Sequence, residues 1–395
     1  MKNEFKVSSF PSPLEKGWDE VKLKQSQRFL TLDVFRGMTI FLMIIVNTQG
    51  SGATPFLQLE HAAWNGCTLT DLVFPSFLFA VGNAMPFAFK KFESLSEKTI
   101  LYKIIKRSFL IFLVGYLLTW YTTMHFVNGH LEFTSFSQTR VMAVLQRIAL
   151  CYLIAALITH YFSVRWVIII SIFLLLLYWC LLYLIGDKGS ELSITGNAVR
   201  KIDLAIIGEA NMYRERGIVF DPEGLLSTLP AVVNVLAGYL AGIFIIKKSK
   251  TFETVAKLAL TSIVLIFVAL CWNYFFAFNK KLWTSSYVVF TTGIDVAVVS
   301  LLFFFIEIKN IKSGTYFFSV MGKNPLFIYV LSNLFLFFLI LPVANNTIFF
   351  EWINTVLFQR IAPGAMGCLL FSIAFTMVCW FFAWILDKRK IYIRL

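Results

Sequence analysis

HAAWNGCTLTDLVFPSFLFAVG, residues His61–Gly82, passes within a few positions from a polar loop to a run suited to a bilayer. A histidine and an indole stand in the Gly-containing loop. The apolar run that follows carries a single acid, Asp71, and a single proline, Pro75. Ionisable groups are costly inside a membrane and mark functional positions there. An imidazole at the mouth of such a segment therefore calls for a chemical reason.

The rest of the composition supports a membrane reading. The chain has 395 residues, 58% hydrophobic and only 14% charged, with a mean hydropathy of +0.75. Soluble domains average about 45–50% apolar and about 25% charged residues. Long apolar runs, rather than two-residue alternation, exclude an outer-membrane barrel. The fold class expected is all-α: a polytopic membrane protein with about ten transmembrane helices. They fall near 30–49, 69–89, 107–124, 141–160, 166–186, 225–246, 255–277, 285–306, 316–340 and 365–386.

The net charge of +13 raises the question of nucleic acid, and the distribution answers it. With the N-terminus placed in the cytoplasm, cytoplasmic segments hold 23 of the 35 Lys/Arg residues and outward loops hold 9. Arg36, Arg147 and Lys323 lie inside spans. This asymmetry is the positive-inside signal and predicts both termini in the cytoplasm. No nucleic-acid partner is expected; the partner is the lipid bilayer. Residues 1–29, which have no signal-peptide core, read as a cytoplasmic leader. Residues 30–387 read as the transmembrane domain and 388–395 as a basic cytoplasmic tail. The six cysteines have no repeating spacing and imply neither a disulfide framework nor a metal site. His125 and His130 are poor metal ligands, and no metal is expected. Walker A, GxGxxG and HExxH patterns are missing from the sequence.

Several polar residues interrupt the apolar runs. Asp33 and Arg36 share a helical face at i,i+3 and can pair. Asn47 ends the first span, either as an interhelical hydrogen-bonder or as a donor to a substrate carbonyl. A carboxylate beside an imidazole fixes its tautomer, as in acyl-transfer triads. Ten residues of helix would hold Asp71 about 15 Å from His61, so contact requires the His61 loop to fold back. Gln146 and Arg147 form a buried polar feature whose expected partner is Asp71, Asp295 or a ligand phosphate. The stretch KIDLAIIGEANMY suggests a short surface helix. After it, Asp221-Pro222-Glu223-Gly224 reads as a helix start, with Asp as N-cap and Pro at N1, or as two carboxylates at the outer mouth. NKKLWT (Asn279–Thr284) is an outward turn with an interfacial Trp283, its two lysines, Lys280 and Lys281, reading as rim charges or sugar contacts. MGKNP (Met321–Pro325) reads as a broken helix lining a cavity.

The blocks LDVFRG with Val46-Asn47, HAAWNGCTLTDLVFP (61–75), VLQR (144–147), DPEG (221–224), NKKLWTSSYV (279–288) and GKNPLFIYV (322–330) run in order along nearly the whole chain. The chain resembles bacterial relatives of heparan-α-glucosaminide N-acetyltransferase, a transmembrane acyltransferase family. The resemblance implies residence in a bacterial inner membrane and transfer of acetyl from cytoplasmic acetyl-CoA to the amine of a glucosamine on the far side. It identifies His61 as the active-site histidine, with Asn47 and Asp71 as its catalytic companions. The lysosomal enzyme's N-terminal luminal domain is not recognised here, so a free or cell-wall amino sugar is expected as acceptor rather than heparan.

The chemistry suits these residues. An amine attacking a thioester must lose a proton, and an imidazole is a suitable base or a transient acetyl carrier. Asn47 is placed to donate to the oxyanion, an effect of about 3–4 kcal/mol for one donor elsewhere. Arg36, Arg147, Lys323 and Asn324 are expected to hold the CoA phosphates at the inner mouth. Trp64, Asn65, Asp221, Glu223, Lys281 and Trp283 are expected to meet the sugar. A passage of CoA length between Lys323 and His61 is also expected. An inner-membrane amino-sugar permease is the alternative reading, and a lipid O-acyltransferase is a third. A homodimer is compatible with the sequence, although no Gly-xxx-Gly face argues for one.

Overall fold

The structure, a computed structural model, describes residues 29–92, 94–127, 130–215, 217–248, 250–343 and 347–393. The expected leader, apart from Phe29, lies outside the described residues. Twelve helices of nine or more residues carry the architecture: α1 (Leu30–Asn47), α2 (Leu69–Phe89), α3 (Glu97–Tyr121), α4 (Val144–Tyr161), α5 (Val164–Ile185), α6 (Ala198–Ile206), α7 (Thr228–Lys248), α8 (Phe252–Asn273), α9 (Ser285–Phe303), α10 (Thr315–Lys323), α11 (Pro325–Leu339) and α12 (Ala365–Lys388). Among the described residues, strands are confined to two small hairpins, His125–Val127 with His130–Glu132 and Arg214–Glu215 with Ile218–Val219. The protein is an all-α polytopic membrane protein. Among the described residues eight helices are long and apolar enough to span, or nine when α10 and α11 count as one broken span. The remaining expected span corresponds to α3, whose first three turns carry Lys98, Lys103, Lys106 and Arg107.

Bilayer residence removes water as a partner for backbone groups, so each interruption of a helix must be repaired within the protein. Pro75 lies four residues after Asp71 in α2 and has no N–H to offer the Asp71 carbonyl. Tyr287 from α9 donates its hydroxyl to that carbonyl instead, at 2.5 Å. At Asn324-Pro325 the chain turns by 83° between α10 and α11, the break that MGKNP predicts. Asn324 bridges it to the tail: its Nδ2 donates to the Ile391 carbonyl (3.0 Å) and its Oδ1 accepts from Ile393 N (2.8 Å).

Small residues set how closely the central helices approach. α2 and α7 meet so tightly that a Cβ on Gly82 would lie 1.9 Å from the Val235 carbonyl oxygen, and one on Gly238 would lie 2.0 Å from that of Phe79. α1 and α10 repeat the device, with Gly37 against Phe318 and Gly322 against Asp33. Together with α4 and α9, these central helices bury Leu78, Ile40, Ala149, Leu236 and Val288 in one core. α5 and α8 are mostly unburied, 17% and 22% over their apolar windows. They present Ile168, Ile172, Phe173, Ile263 and Phe267 outward, as lipid-facing helices do.

Candidate active site

The amino-terminal turn of α2 builds the site. In Thr68-Leu69-Thr70-Asp71 the acid stands at the third helical position, where a carboxylate can reach back to the N-cap amide. Asp71 Oδ2 accepts from Thr68 N (3.0 Å), Thr68 Oγ1 (3.1 Å) and Ala62 N (3.1 Å). Its other oxygen, Oδ1, lies 2.7 Å from His61 Nδ1. The loop therefore folds back, the condition for contact, and one carboxylate both starts the helix and orients the imidazole. Asp71 is 1% exposed and the His61 side chain is 44% exposed. A buried carboxylate fixed by three donors selects the Nδ1–H tautomer, and Nε2 is left with its lone pair. Cys67 stands beside this pair, but burial and then the Asp71 charge push its thiol up to about 12. It offers little thiolate at neutral pH.

A strap from the α8–α9 connection closes over the loop. Gly66, at φ 121°, sits where only glycine is at ease. Its N–H donates to the Phe278 carbonyl (2.8 Å). Asn279 Nδ2 donates to Asn65 Oδ1 (3.2 Å). Lys281 Nζ donates to the Ala63 carbonyl (3.0 Å) and to Glu215 Oε1 (2.8 Å). Lys280 Nζ stands 3.4 Å from His61 Nε2. Burial pulls the Lys280 ammonium below the usual lysine range, with Glu223 and Asp71 acting in opposition.

Below the strap, Arg140 joins the DPEG turn. It donates to Asp221 through Nε (2.9 Å) and Nη2 (2.6 Å), and to Glu223 through Nη2 (2.6 Å). Burial alone would raise the Glu223 carboxyl, but Arg140, Lys280 and Arg147 override it and carry it down to about 2. Asp203 from α6 accepts Leu225 N (3.0 Å) and Leu226 N (3.4 Å) through one oxygen. Burial raises its carboxyl to about 7. A Cβ on Gly224 would fall 1.6 Å from Asp203 Oδ2, so any side chain there would have to displace the Asp203 carboxylate.

Several expectations are corrected here. The DPEG turn is not a helix N-cap: α7 begins only at Thr228, and Asp221 Oδ1 accepts Glu223 N (2.9 Å) within the turn. Its two carboxylates are not open to a cationic sugar, because Arg140 holds both. Arg147 does not belong to the inner cations. It lies in the first turn of α4, at the His61 end, donating to the Gly224 carbonyl (3.0 Å) and Ser227 with its guanidinium over the Trp283 ring. Trp283 is not an interfacial platform. It is fully buried at φ 57°, edge-on to Phe74 and Tyr287, with Nε1 donating to Asn234. Asn324 is engaged by the tail. Asp295, a suggested partner of Arg147, instead accepts Ser76 Oγ at 2.5 Å.

Other residues stand nearer to expectation. Trp64 is half-buried on Phe220, its Nε1 bonded to the Leu192 carbonyl, and Asn65 is exposed beside His61. Asn47 is exposed at the end of α1, with no side-chain hydrogen bond to His61 among the described residues. At the opposite end Arg36 lies 3.5 Å from Asp33 and donates to the Gly322 carbonyl (3.1 Å), while Lys323 pairs with Asp387 (2.6 Å). Sequence reasoning gave no role to Arg140, Asp203 or Asn279, and weighed Lys280 only as a rim charge or sugar contact. Asp203 lies on α6 and the others in loops, and their partners are 22 to 219 positions away in sequence.

A model of the family described as heparan-alpha-glucosaminide N-acetyltransferase, catalytic, matches residues 28–273. Two relatives carry the name heparan-alpha-glucosaminide N-acetyltransferase. The one from Mus musculus is 28% identical over 365 residues, 79% of this chain and 54% of the relative. The one from Homo sapiens is 27% identical over 356 residues, 77% of this chain and 52% of the relative. The chain spans about half the length of the curated relatives it matches.

Proposed function

The chain belongs to the heparan-alpha-glucosaminide N-acetyltransferase family, and from that premise we propose that it is an integral membrane acetyltransferase. In this reading it moves an acetyl group from cytoplasmic acetyl-CoA, received at the Lys323 end, to the amine of a glucosamine-type sugar at the His61 end. The Lys/Arg asymmetry supports an outward-facing His61 end and cytoplasmic termini.

The observation that carries the proposal is the 2.7 Å contact between His61 Nδ1 and buried Asp71. An imidazole held in that way has one job for each nitrogen. Nδ1–H is committed to the carboxylate, and Nε2 is available to take the amine's proton or to carry the acetyl group. Asp71 favours the imidazolium or acyl-imidazolium that either route creates. Arg36 and Lys323 remain the cations suited to the donor's phosphates, exchanging Asp33 and Asp387 for them as the donor enters. Trp64 and Asn65 offer an aromatic edge and an amide to a sugar. A purified protein supplied with labelled acetyl-CoA and glucosamine should form N-acetylglucosamine, and His61→Ala should lower the rate by about 10²-fold or more. Wild-type turnover by His61→Ala would overturn the catalytic role.

The 83° break between α10 and α11 also suits a transporter, where interrupted helices line the substrate path. Uptake of labelled amino sugar into vesicles without any acyl-CoA would favour that reading; strict dependence on the thioester favours the enzyme.

A further inference from the structure

Asn47 was expected to stabilise the oxyanion of the transferred acetyl group, and it makes no side-chain hydrogen bond to His61 among the described residues. The group that does meet the working ring nitrogen is the Lys280 amine, 3.4 Å from Nε2. Its placement is built rather than incidental. The strap that carries it is pinned on both sides, through Asn279 to Asn65 and through Lys281 to the Ala63 carbonyl, with Gly66 N bonded to the Phe278 carbonyl. Asn279 also shapes the turn itself, accepting Leu282 N at 2.8 Å.

We propose that Lys280 is a catalytic residue of the acetyl transfer, its ammonium receiving the negative charge that develops on the acetyl oxygen. The inference rests on the acetyltransferase reading given above. When Nε2 bonds to the thioester carbon, the carbonyl π pair moves to oxygen, and that oxygen lies about 2.3 Å from Nε2. A donor 3.4 Å from Nε2 can then meet it at hydrogen-bond distance when the carbonyl points toward the strap, the geometry an oxyanion donor needs. Collapse of the tetrahedral adduct returns the pair to the carbonyl and expels the CoA thiolate, leaving acetyl on Nε2. The acceptor amine then attacks the same carbon, Lys280 again holding the oxyanion. Nε2 leaves with its electron pair and accepts the proton lost by the amine. The expelled thiolate takes up one proton from solvent and Nε2 returns the amine's proton to solvent, which regenerates the neutral imidazole and balances the cycle without a further reactant.

The role requires a protonated lysine. The charged and titratable groups that act on Lys280 are Glu223 and Asp71, which favour the ammonium, and Arg147 and Lys281, which oppose it, together with its burial. Lys281 is itself neutralised by Glu215, and His61 completes the surroundings. Loss of the ammonium should therefore appear as an alkaline limb lying below the ordinary lysine range.

The test compares wild type, Lys280→Arg and Lys280→Met in detergent, measuring kcat and KM for acetyl-CoA and glucosamine from pH 6 to pH 11. Lys280→Met should lose about 10²–10³-fold in kcat, the range for one oxyanion donor elsewhere, with KM little changed. Lys280→Arg keeps a cation that does not titrate in this range; it should recover much of kcat and remove the alkaline limb. Unchanged kcat in Lys280→Met overturns the proposal. So does an alkaline limb that persists in Lys280→Arg, or a Lys280→Arg enzyme as slow as Lys280→Met. A Lys280→Met protein that fails to fold leaves the Lys280→Arg profile to decide. Wild type without thioester-dependent transfer overturns the acetyltransferase reading itself, a result separate from any of these.

Discussion

Asp71 does two things with two oxygens, and the two can be separated. Asp71→Asn keeps a carbonyl that can accept Thr68 N and Ala62 N, but it removes the charge facing His61 and allows the wrong tautomer. We expect kcat to fall by about 10²–10⁴-fold, as when a triad acid loses its charge, while thermal unfolding shifts little. Steady-state rates beside a melting curve check both halves. Arg140 gives a stability counterpart. Removing it leaves Asp221 fully buried beside Glu223, and Arg140→Ala should cost about 3–5 kcal/mol, as for a broken buried pair. The same cluster sets an acid limit. Glu223 ordinarily titrates near 4.5 and is held down to about 2. Its folded value lies below its unfolded value, so its stabilisation is complete above about pH 4.5. It is lost as pH falls from there toward about 2. Melting temperatures between pH 7 and pH 3 should show this drop, and Glu223→Gln should flatten it. His61 and Asp71 were legible as candidates because both lie in one short stretch that ends in an apolar run, whereas their contact was not, because it depends on how the loop folds back. Lys280 was not, because an outward lysine beside another lysine reads as a rim charge until its partner, 219 positions away, is known.

Elements were easier to foresee, since an apolar run about 20 residues long has few alternatives in a membrane. α3 begins at Glu97 rather than near 107 because Lys and Arg are good helix formers and continue the helix beyond its apolar part. The side on which Arg147 lies follows from the direction of α4: a residue in the turn after an outward loop cannot reach the inner mouth. The fit of α2 against α7 makes a sharp prediction. Gly238→Ala would force a methyl toward the Phe79 carbonyl, and it should destabilise the protein by about 1–3 kcal/mol, read as a loss of detergent-solubilised, monodisperse material on heating. Tyr287→Phe tests the repair at Pro75. It strands the Asp71 carbonyl in an apolar setting, at a cost of about 1–3 kcal/mol, without touching the imidazole.

At the scale of the whole molecule the two ends are chemically distinct. One gathers His61, Asp71, Lys280, Arg147 and the Arg140–Asp221–Glu223 cluster; the other gathers Asp33, Arg36, Lys323 and Asp387. Acetyl transfer between compartments needs such a polarity, and the orientation is open to direct measurement. A single cysteine introduced at Ser190, in the loop between α5 and α6, should react with an impermeant maleimide applied to intact cells. One introduced at Ser313, before α10, should react only after lysis. The reverse pattern would falsify the proposed orientation. The Lys/Arg counts make the orientation with cytoplasmic termini the expected one, because topology follows the distribution of basic residues. Which cations cooperate was not readable in this way, because pairing depends on how the helices are arranged around one another.

The strap also fixes an order of events during biosynthesis. His61 and its acid leave the ribosome together, whereas Lys280 follows 219 residues later. At roughly 5–20 residues per second, the imidazole waits about ten to forty seconds for the turn that completes its surroundings. Nascent chains arrested before Asn279 should therefore display a His61 loop that is proteolytically open, and chains arrested well beyond Tyr287 one that is closed.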